Sequence, residues 1–450
     1  MQGIANLTNP EQLNNPQKGV GLTLNNVFVK CVIIMSFICQ MLVLYNRSIF
    51  ESVTGPILAL CIVILTFTDY YYIPFAIVLL TPHAIGTVIM GRISFYVFMG
   101  AILALRLLII KFDIVFTLSN VLWLMLGLFN VLHLNIFMFE HVGSEKLTYM
   151  AIFTAWIVFL FADKRRDSEI VDKFFLTFGI AIVTNATVSL ISRTATKYVA
   201  SDRLGIIGIG ASDPNIAAMM LTLAVAIIIG SKYLKVWLKI VLVLIPMLSM
   251  ITTVSVSGVL AIVILFLIFG IAMNKSGDNL SVFFLIILGA LIAVYIFPML
   301  GIMGEENAAG ETTNYLEYYQ DKIYNRVGAF FADDIDAASS GRTALMQKNM
   351  EFLREQSAIK QLFGGNHVNP LGINVSHNTF ADIALRFGYV GLFAVIIMII
   401  FSLIKCVQRL KESGNCTVLL CKAMMLYWSL TLSIFDGSVG VLWFTIVLML

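Results

Sequence analysis

Long apolar runs fill most of this 450-residue chain and leave few ways for it to fold. Hydrophobic residues make up 59% of the sequence and charged residues 12%, whereas about a quarter of the residues in a typical soluble domain are charged. A bilayer core is about 30 Å thick, so a spanning helix needs roughly 20 mostly apolar residues. Because the runs approach that length and are continuous rather than alternating, they predict membrane-spanning helices and not barrel strands.

The sequence therefore predicts an all-α polytopic membrane protein with twelve to fourteen transmembrane helices. The range allows for one short run and for the merging of neighbouring runs. The candidate spans are Val27 to Tyr45, Gly55 to Phe67, Tyr71 to Met90, Ser94 to Ile110, Ile114 to Phe139, Leu147 to Phe161, Ile170 to Ser192, Pro214 to Gly230, Leu234 to Ile251, Ser257 to Met273, Leu280 to Leu300, Thr379 to Ile404, Val418 to Leu432 and Val439 to Leu450.

Polar segments divide the predicted architecture into four regions. Residues 1–26 are polar and Asn-rich and lack the basic and apolar pattern of a signal peptide, so they predict a cytoplasmic N-terminal tail. Residues 27–301 are predicted to form a transmembrane bundle, residues 302–376 a large loop, and residues 377–450 the C-terminal transmembrane helices.

Lysine and arginine in the short loops predict the orientation, because cytoplasmic loops carry an excess of them. Successive loops lie on opposite sides of the membrane, and four basic loops all fall on the same side when the spans are counted. They contain Lys164 with Arg165 and Arg166, Lys232 with Lys235, Lys275, and Lys405 with Arg409 and Lys411. The same count places Arg193 to Asp213 and Gly301 to Ser376 on the opposite, extracytoplasmic side. Both of these longer loops also carry basic residues, which long loops tolerate and which would also suit an anionic ligand.

Several classes of function are disfavoured by composition. The six cysteines lie in or beside apolar runs without CxxC spacing, so neither a disulfide framework nor a cysteine metal site is expected. Histidines and carboxylates do not follow a metal-ligand spacing, and neither a DxD nor a Walker-type motif is found, so we expect no metal and no cofactor. The net charge of +3 is too small to predict a nucleic-acid partner.

A helix is predicted inside the large loop. Ser339, Ser340 and Gly341 precede a run from Arg342 to Gln356 whose apolar residues have helical spacing. This pattern predicts a capped amphipathic helix with its apolar side toward the membrane-embedded body. A turn at Gly364 and Gly365 is predicted to end this structure.

A second helix start is predicted at Asp213, where an N-cap residue is followed by Pro214 and Asn215. Helix N-termini favour anionic groups, so Asp213 and Asn215 are candidates for a binding site. An ordinary helix start explains the same residues.

The segment SHNTFADIALRFGYVGLF around His377 resembles the His-Asn motif with a downstream Gly-x-x-Gly of the O-antigen ligase and polymerase superfamily. Three further features match in order: Arg203 followed by the DPN at Asp213, a Ser-Gly at Ser257 and Gly258, and Gly341-Arg342 followed by a helix and a Gly-Gly turn. The resemblance covers roughly residues 190 to 400. The family often has Ser-Arg-Gly where this chain has Ser-Val-Ser-Gly from Ser255, so that arginine is lacking here.

This resemblance implies a membrane glycosyltransferase of the GT-C fold class with a large periplasmic loop. Its donor would be a glycan on undecaprenyl pyrophosphate, and it would work without a metal. Arg342 and Arg203 would bind the pyrophosphate, because the planar guanidinium binds phosphate oxygens bidentately and stays charged. His377 would lie near the attacking hydroxyl and accept its proton or a hydrogen bond from it. Weaker substrate-binding candidates are Arg193, Arg326 and Asn378.

Three functions agree with this pattern. The first is a surface polysaccharide polymerase, which transfers a growing glycan to a lipid-linked repeat unit and has membrane lipids and a chain-length regulator protein as further partners. The second is an O-antigen ligase, with lipid A core as the acceptor. The third is a lipid-linked oligosaccharide flippase, although transporters commonly carry functional charges at the bilayer midplane rather than in outer loops.

Overall fold

A computed structural model describes residues 26–45, 47–67, 88–89, 93–94, 168–192, 213–253, 255–273, 304–306, 312–314, 324–325, 328–329, 331–332, 334, 341–364, 377–413, 415–432 and 434. These residues form the helices α1 (Asn26–Tyr45), α2 (Arg47–Phe67), α3 (Ser168–Ser192), α4 (Pro214–Gly230), α5 (Val236–Thr252), α6 (Val256–Met273), α7 (Arg342–Glu355), α8 (Ala358–Phe363), α9 (Thr379–Ser413) and α10 (Thr417–Thr431). The described residues also form two antiparallel strand pairs: β1 (Val88–Ile89) with β2 (Ile93–Ser94), and β3 (Gly304–Glu306) with β4 (Thr312–Asn314).

The helices begin and end close to the predicted bounds in most of the described spans. Helix α2 is longer than predicted, because it begins at Arg47 rather than Gly55 and includes Pro56 in its interior. Helix α9 continues beyond the predicted end at Ile404 to Ser413. The other differences within the described spans are one or two residues.

The sequence prediction was wrong about one junction. Two helical spans were predicted, from Tyr71 to Met90 and from Ser94 to Ile110. The end of the first and the start of the second form the strand pair of β1 and β2 instead of helices. The β-branched residues Val88, Ile89 and Ile93 favour extended backbone, which explains the difference. The rest of both spans, and four other predicted spans, lie outside the described residues.

Two helices in the described part of the chain are long and apolar enough to cross a membrane, at Val171–Leu190 and Thr379–Lys411. Five shorter apolar helices accompany them, at Val27–Ser36, Pro214–Gly230, Val236–Met250, Val256–Ala272 and Thr417–Thr431. This helical, strongly apolar architecture is compatible with a membrane protein. The predicted number of spans stays a prediction.

Helix α4 is the centre of the bundle. It packs against α3, α5, α6 and α10, and nearly all of its residues are buried, on every side of the helix. Its sequence is apolar all round, as expected of a helix with neighbours on every face. Because these four helices all pack on α4, we use the two ends of α4 to refer to the two ends of the bundle.

Helices α4 and α10 run antiparallel in close contact. At one end, a Cβ on Gly230 would lie 2.7 Å from the Thr417 Cα, so only glycine allows this approach. Further along, the fully buried indole of Trp428 donates a 2.8 Å hydrogen bond to the Thr222 hydroxyl. The end of α10 is therefore directed toward the beginning of α4.

Basic residues gather at the C-terminal end of α4. Lys239 donates from Nζ to the Ile229 carbonyl at 2.8 Å and so satisfies one of the last carbonyls of the helix. Lys232 forms an ion pair at 3.5 Å with the buried Asp172, whose carboxylate also interacts with Asn415 and Arg409. Two of the loops predicted to be cytoplasmic, those of Lys232 and Arg409, thus meet at one end of the bundle.

Candidate functional site

The site is built around the end of α10, opposite the basic end. The last carbonyls of a helix have no partner within the helix, and they carry a partial negative charge. Three donors from elsewhere in the chain satisfy them. Arg342 donates from Nη1 to the Thr431 carbonyl at 2.9 Å, Asn378 from Nδ2 to Leu430 at 3.3 Å, and Thr379 from its hydroxyl to Leu432 at 2.7 Å.

Asn378 also fixes the start of α9. Its Oδ1 accepts hydrogen bonds from the backbone N–H groups of Phe380 at 3.0 Å and Ala381 at 3.1 Å, which makes it the N-cap of the helix. Asn378 was predicted to bind substrate, but these contacts give it a structural role. A contact with substrate stays a prediction.

His377 precedes this cap in a strained conformation. Its φ is +54°, in the left-handed region that few residues other than glycine adopt. Such a conformation costs on the order of 1–3 kcal/mol and persists only where the surroundings enforce it. The bonds of Asn378 and Thr379 to α10 hold the backbone that follows, so the half-buried His377 lies beside the end of α10.

Arg342 is the first residue of α7, as predicted. The N-cap position is occupied by Gly341, at φ +77°, and makes no side-chain hydrogen bond. Of the three residues that were predicted to precede the helix, Gly341 is the one at the N-cap, and the chain turns into the helix through this left-handed glycine. With its guanidinium bound to Thr431, the half-buried Arg342 ties the loop helix to the end of α10.

Charged groups from three separate segments surround His377. Burial lowers its pKa below the usual 6.5, and the nearby Arg342 guanidinium lowers the pKa further, whereas the carboxylates of Asp213 and Asp382 raise it. Desolvation and a neighbouring cation both disfavour the imidazolium ion. The His377 side chain is therefore neutral near pH 7, in the form that accepts a proton.

Asp213 enters this group from the beginning of α4. Its Oδ1 accepts a 2.7 Å hydrogen bond from the Asn215 backbone N–H, and Pro214 occupies the first helical turn. The predicted N-cap is confirmed. Asn215 lies in that first turn, and its predicted contact with substrate stays a prediction.

The Ser-Gly pair at the start of α6 lies at the same end of the bundle. The Ser257 carbonyl accepts a 2.9 Å hydrogen bond from the Tyr427 hydroxyl. A Cβ on Gly258 would lie 3.1 Å from the Ala218 Cβ and 2.5 Å from the Met250 sulfur, so this glycine allows α6 to pack closely on α4. The pair therefore supports the scaffold under the site.

Both loop helices pack against α9, and α8 does so where α9 breaks. Gly388, at φ +69° and ψ −174°, interrupts α9. A Cβ at Gly388 would lie 2.2 Å from the Leu362 carbonyl oxygen, and a Cβ at Gly364 would lie 2.0 Å from that of Arg386. The helix predicted from Arg342 to Gln356 is confirmed as α7, and the predicted turn at Gly364 ends α8, a further helix that the sequence analysis did not include.

The structure brings together part of the predicted site. Arg342 and Asp213 both lie within electrostatic reach of His377 at one end of the bundle, with Asn378 next to His377 in the chain. The predicted ligands Arg203, Arg193 and Arg326 lie outside the described residues.

Sequence reasoning missed two parts of this site. One is the buried carboxylate of Asp382, which lies close enough to His377 to raise the pKa of its imidazole. Its place in the first turn after the His-Asn pair was the available signal. The carbonyls at the end of α10 carry no sequence signal, because any residue supplies them.

Among the described residues, no group of three or more histidine, cysteine, aspartate or glutamate side chains could hold a metal ion. Comparisons with known protein families, with curated proteins and with solved structures found no match.

Proposed function

We propose that this chain is a multi-pass membrane glycosyltransferase that polymerises a surface polysaccharide at the periplasmic side of the bacterial inner membrane. It would transfer a growing glycan from undecaprenyl pyrophosphate to a lipid-linked repeat unit. The observation that carries the proposal is the meeting of Arg342, His377 and Asp213 at one end of the bundle. These residues come from three distant segments, and the resemblance to the O-antigen ligase and polymerase superfamily had selected all three.

The charges suit the chemistry of this transfer. The acceptor hydroxyl oxygen attacks the anomeric carbon of the donor, and the bond from that carbon to the pyrophosphate oxygen breaks. Negative charge grows on the leaving pyrophosphate, and a guanidinium such as that of Arg342 stabilises it. The neutral imidazole of His377 takes the proton of the hydroxyl, and the lowered pKa of His377 keeps that form populated at neutral pH.

The separation of charges along α4 supports the proposed orientation. Lys232, Lys239 and Arg409 gather at the C-terminal end, and cytoplasmic ends of membrane proteins carry such an excess of basic residues. His377 and Asp213 lie at the other end, which the proposal assigns to the periplasm. A flippase would be expected to hold its functional charges near the midplane instead.

The acceptor distinguishes the polymerase from the ligase. The purified chain in lipid vesicles would be given a lipid-linked repeat unit, first alone and then together with lipid A core. We expect a ladder of lengthened lipid-linked glycans in the absence of lipid A core. Glycan joined to lipid A core, with no ladder in its absence, would identify a ligase, whereas transbilayer movement of the unit without any new glycosidic bond would identify a flippase.

A further inference from the structure

Helix α8 presents three large apolar side chains on its surface. Ile359 is 73% exposed, Leu362 46% and Phe363 53%. Their spacing of three and four residues places them on one face of the helix. A soluble loop helix would be expected to bury such a face or to make it polar.

The position of α8 is fixed by its contact with α9. Glycines on both sides bring the two backbones together, with the end of α8 against Gly388 and Gly364 against Arg386. The contact is made of main chain on both sides and therefore leaves little freedom for α8 to move. The position of Gly388 along the axis of α9 therefore determines the position of α8 along the same axis.

The break at Gly388 also divides α9 into two different environments. Residues 379–387 expose no large hydrophobic side chain, and Ile383 and Phe387 are buried in the bundle. Beyond the break, exposed apolar residues recur along the helix: Val390, Phe393, Ile396, Ile400, Phe401, Ile404 and Val407. Residues 389–404, which precede the predicted cytoplasmic residues Lys405, Arg409 and Lys411, extend about 24 Å at about 1.5 Å per residue and so cover most of a hydrocarbon core of about 30 Å.

We propose that α8 is an interfacial helix, whose Ile359, Leu362 and Phe363 insert into the outer edge of the lipid bilayer beside the first lipid-facing turn of α9. The end of α8 lies against α9 at Gly388, where the exposed apolar residues of α9 begin, so the apolar face of α8 lies near the start of the lipid-facing segment. Lys360 lies between the apolar positions and is exposed, as expected where a basic side chain reaches the headgroups. This inference rests on the membrane setting of the proposed function and is independent of its chemistry.

Spin labels on the full-length chain in phospholipid vesicles test the position of α8. Five of the six cysteines are buried, so a Cys31→Ser background removes the exposed one. Single cysteines would replace Ile359, Leu362 and, as a same-helix control, Lys360, and all would carry a nitroxide. We expect the label at 359 and 362 to be more accessible to oxygen than to the water-soluble nickel complex NiEDDA, and the order to reverse at 360.

A fourth label at Phe393, which is 65% exposed beyond the break, separates the possible failures. If the label at 393 reports lipid while those at 359 and 362 report water, the proposed insertion of α8 into the bilayer is wrong, but the proposed membrane location of the chain is supported. Water at all positions would overturn both. Dipolar broadening between labels at 362 would show a second copy of the chain on this face and would also overturn the inference.

Discussion

Replacing Arg342 with alanine is expected to reduce polymer formation by about 10²–10³-fold, the usual loss when a preorganised donor to a developing negative charge is removed. The substitution removes the guanidinium that lies beside His377 and is bound to the Thr431 carbonyl. Arg342→Lys is expected to recover little of the activity, because an ammonium group cannot bind two phosphate oxygens in the fork geometry. Initial rates of glycan lengthening, measured with saturating lipid-linked substrate, give the comparison.

The bond to Thr431 also gives Arg342 a structural role, so the measurement needs a stability control. Thermal unfolding of the variant in the same detergent reports the loss of the contact with α10, which we expect to cost about 1–3 kcal/mol. The matched control is Arg354→Ala, since Arg354 is an exposed basic residue on the same helix. A polymerisation rate within twofold of the wild type in Arg342→Ala would remove this residue from the proposed chemistry.

Replacing Gly388 with alanine is expected to destabilise the chain strongly. The residue has φ +69°, and an added Cβ would lie 2.2 Å from the Leu362 carbonyl oxygen and 2.3 Å from its carbon. At ψ −174° this backbone conformation is essentially restricted to glycine and costs a residue with a Cβ on the order of 1–3 kcal/mol, and the clash with backbone adds to this cost. The expected result is a midpoint of thermal unfolding several degrees lower, with α8 detached from α9.

Gly270→Ala is the matched control for that substitution. Gly270 also lies in an apolar helix, and a Cβ there would meet nothing within 4 Å. Alanine is favoured over glycine in a helix by about 1 kcal/mol, so this variant is expected to be as stable as the wild type or slightly more stable. Equal midpoints for Gly388→Ala and Gly270→Ala would contradict the backbone contact between α8 and α9.

Much of the helical architecture could be predicted from hydropathy, for a physical reason. A long apolar run has to be helical in a dry environment, so the bounds of α4 and the start of α9 at Thr379 follow from composition and capping residues. The break at Gly388 could not be predicted in this way. Its apolar neighbours continue the run, and the reason for the break is a contact with Leu362.

The site was predictable only in part. His377, Arg342 and Asp213 belong to recognisable local patterns, a helix start in each case, and the resemblance linked them. Pattern alone gives no distance between segments, so their convergence required the structure. The acceptors at the end of α10 are main-chain carbonyls, whose position depends on the packing of α10 along α4 through Trp428 and Thr222.

Titration of His377 tests most directly whether the three charged residues share one site. The chain has five histidines, so ¹³C-labelled histidine gives few signals, and loss of one signal in His377→Gln assigns it. We predict a pKa below 6.5 in the wild type, a higher pKa in Arg342→Gln because a nearby positive charge is removed, and a lower pKa in Asp213→Asn because a negative charge is removed. Asparagine also caps helices, so the start of α4 is preserved. A His377 pKa that is the same in all three proteins would contradict the convergence of these residues.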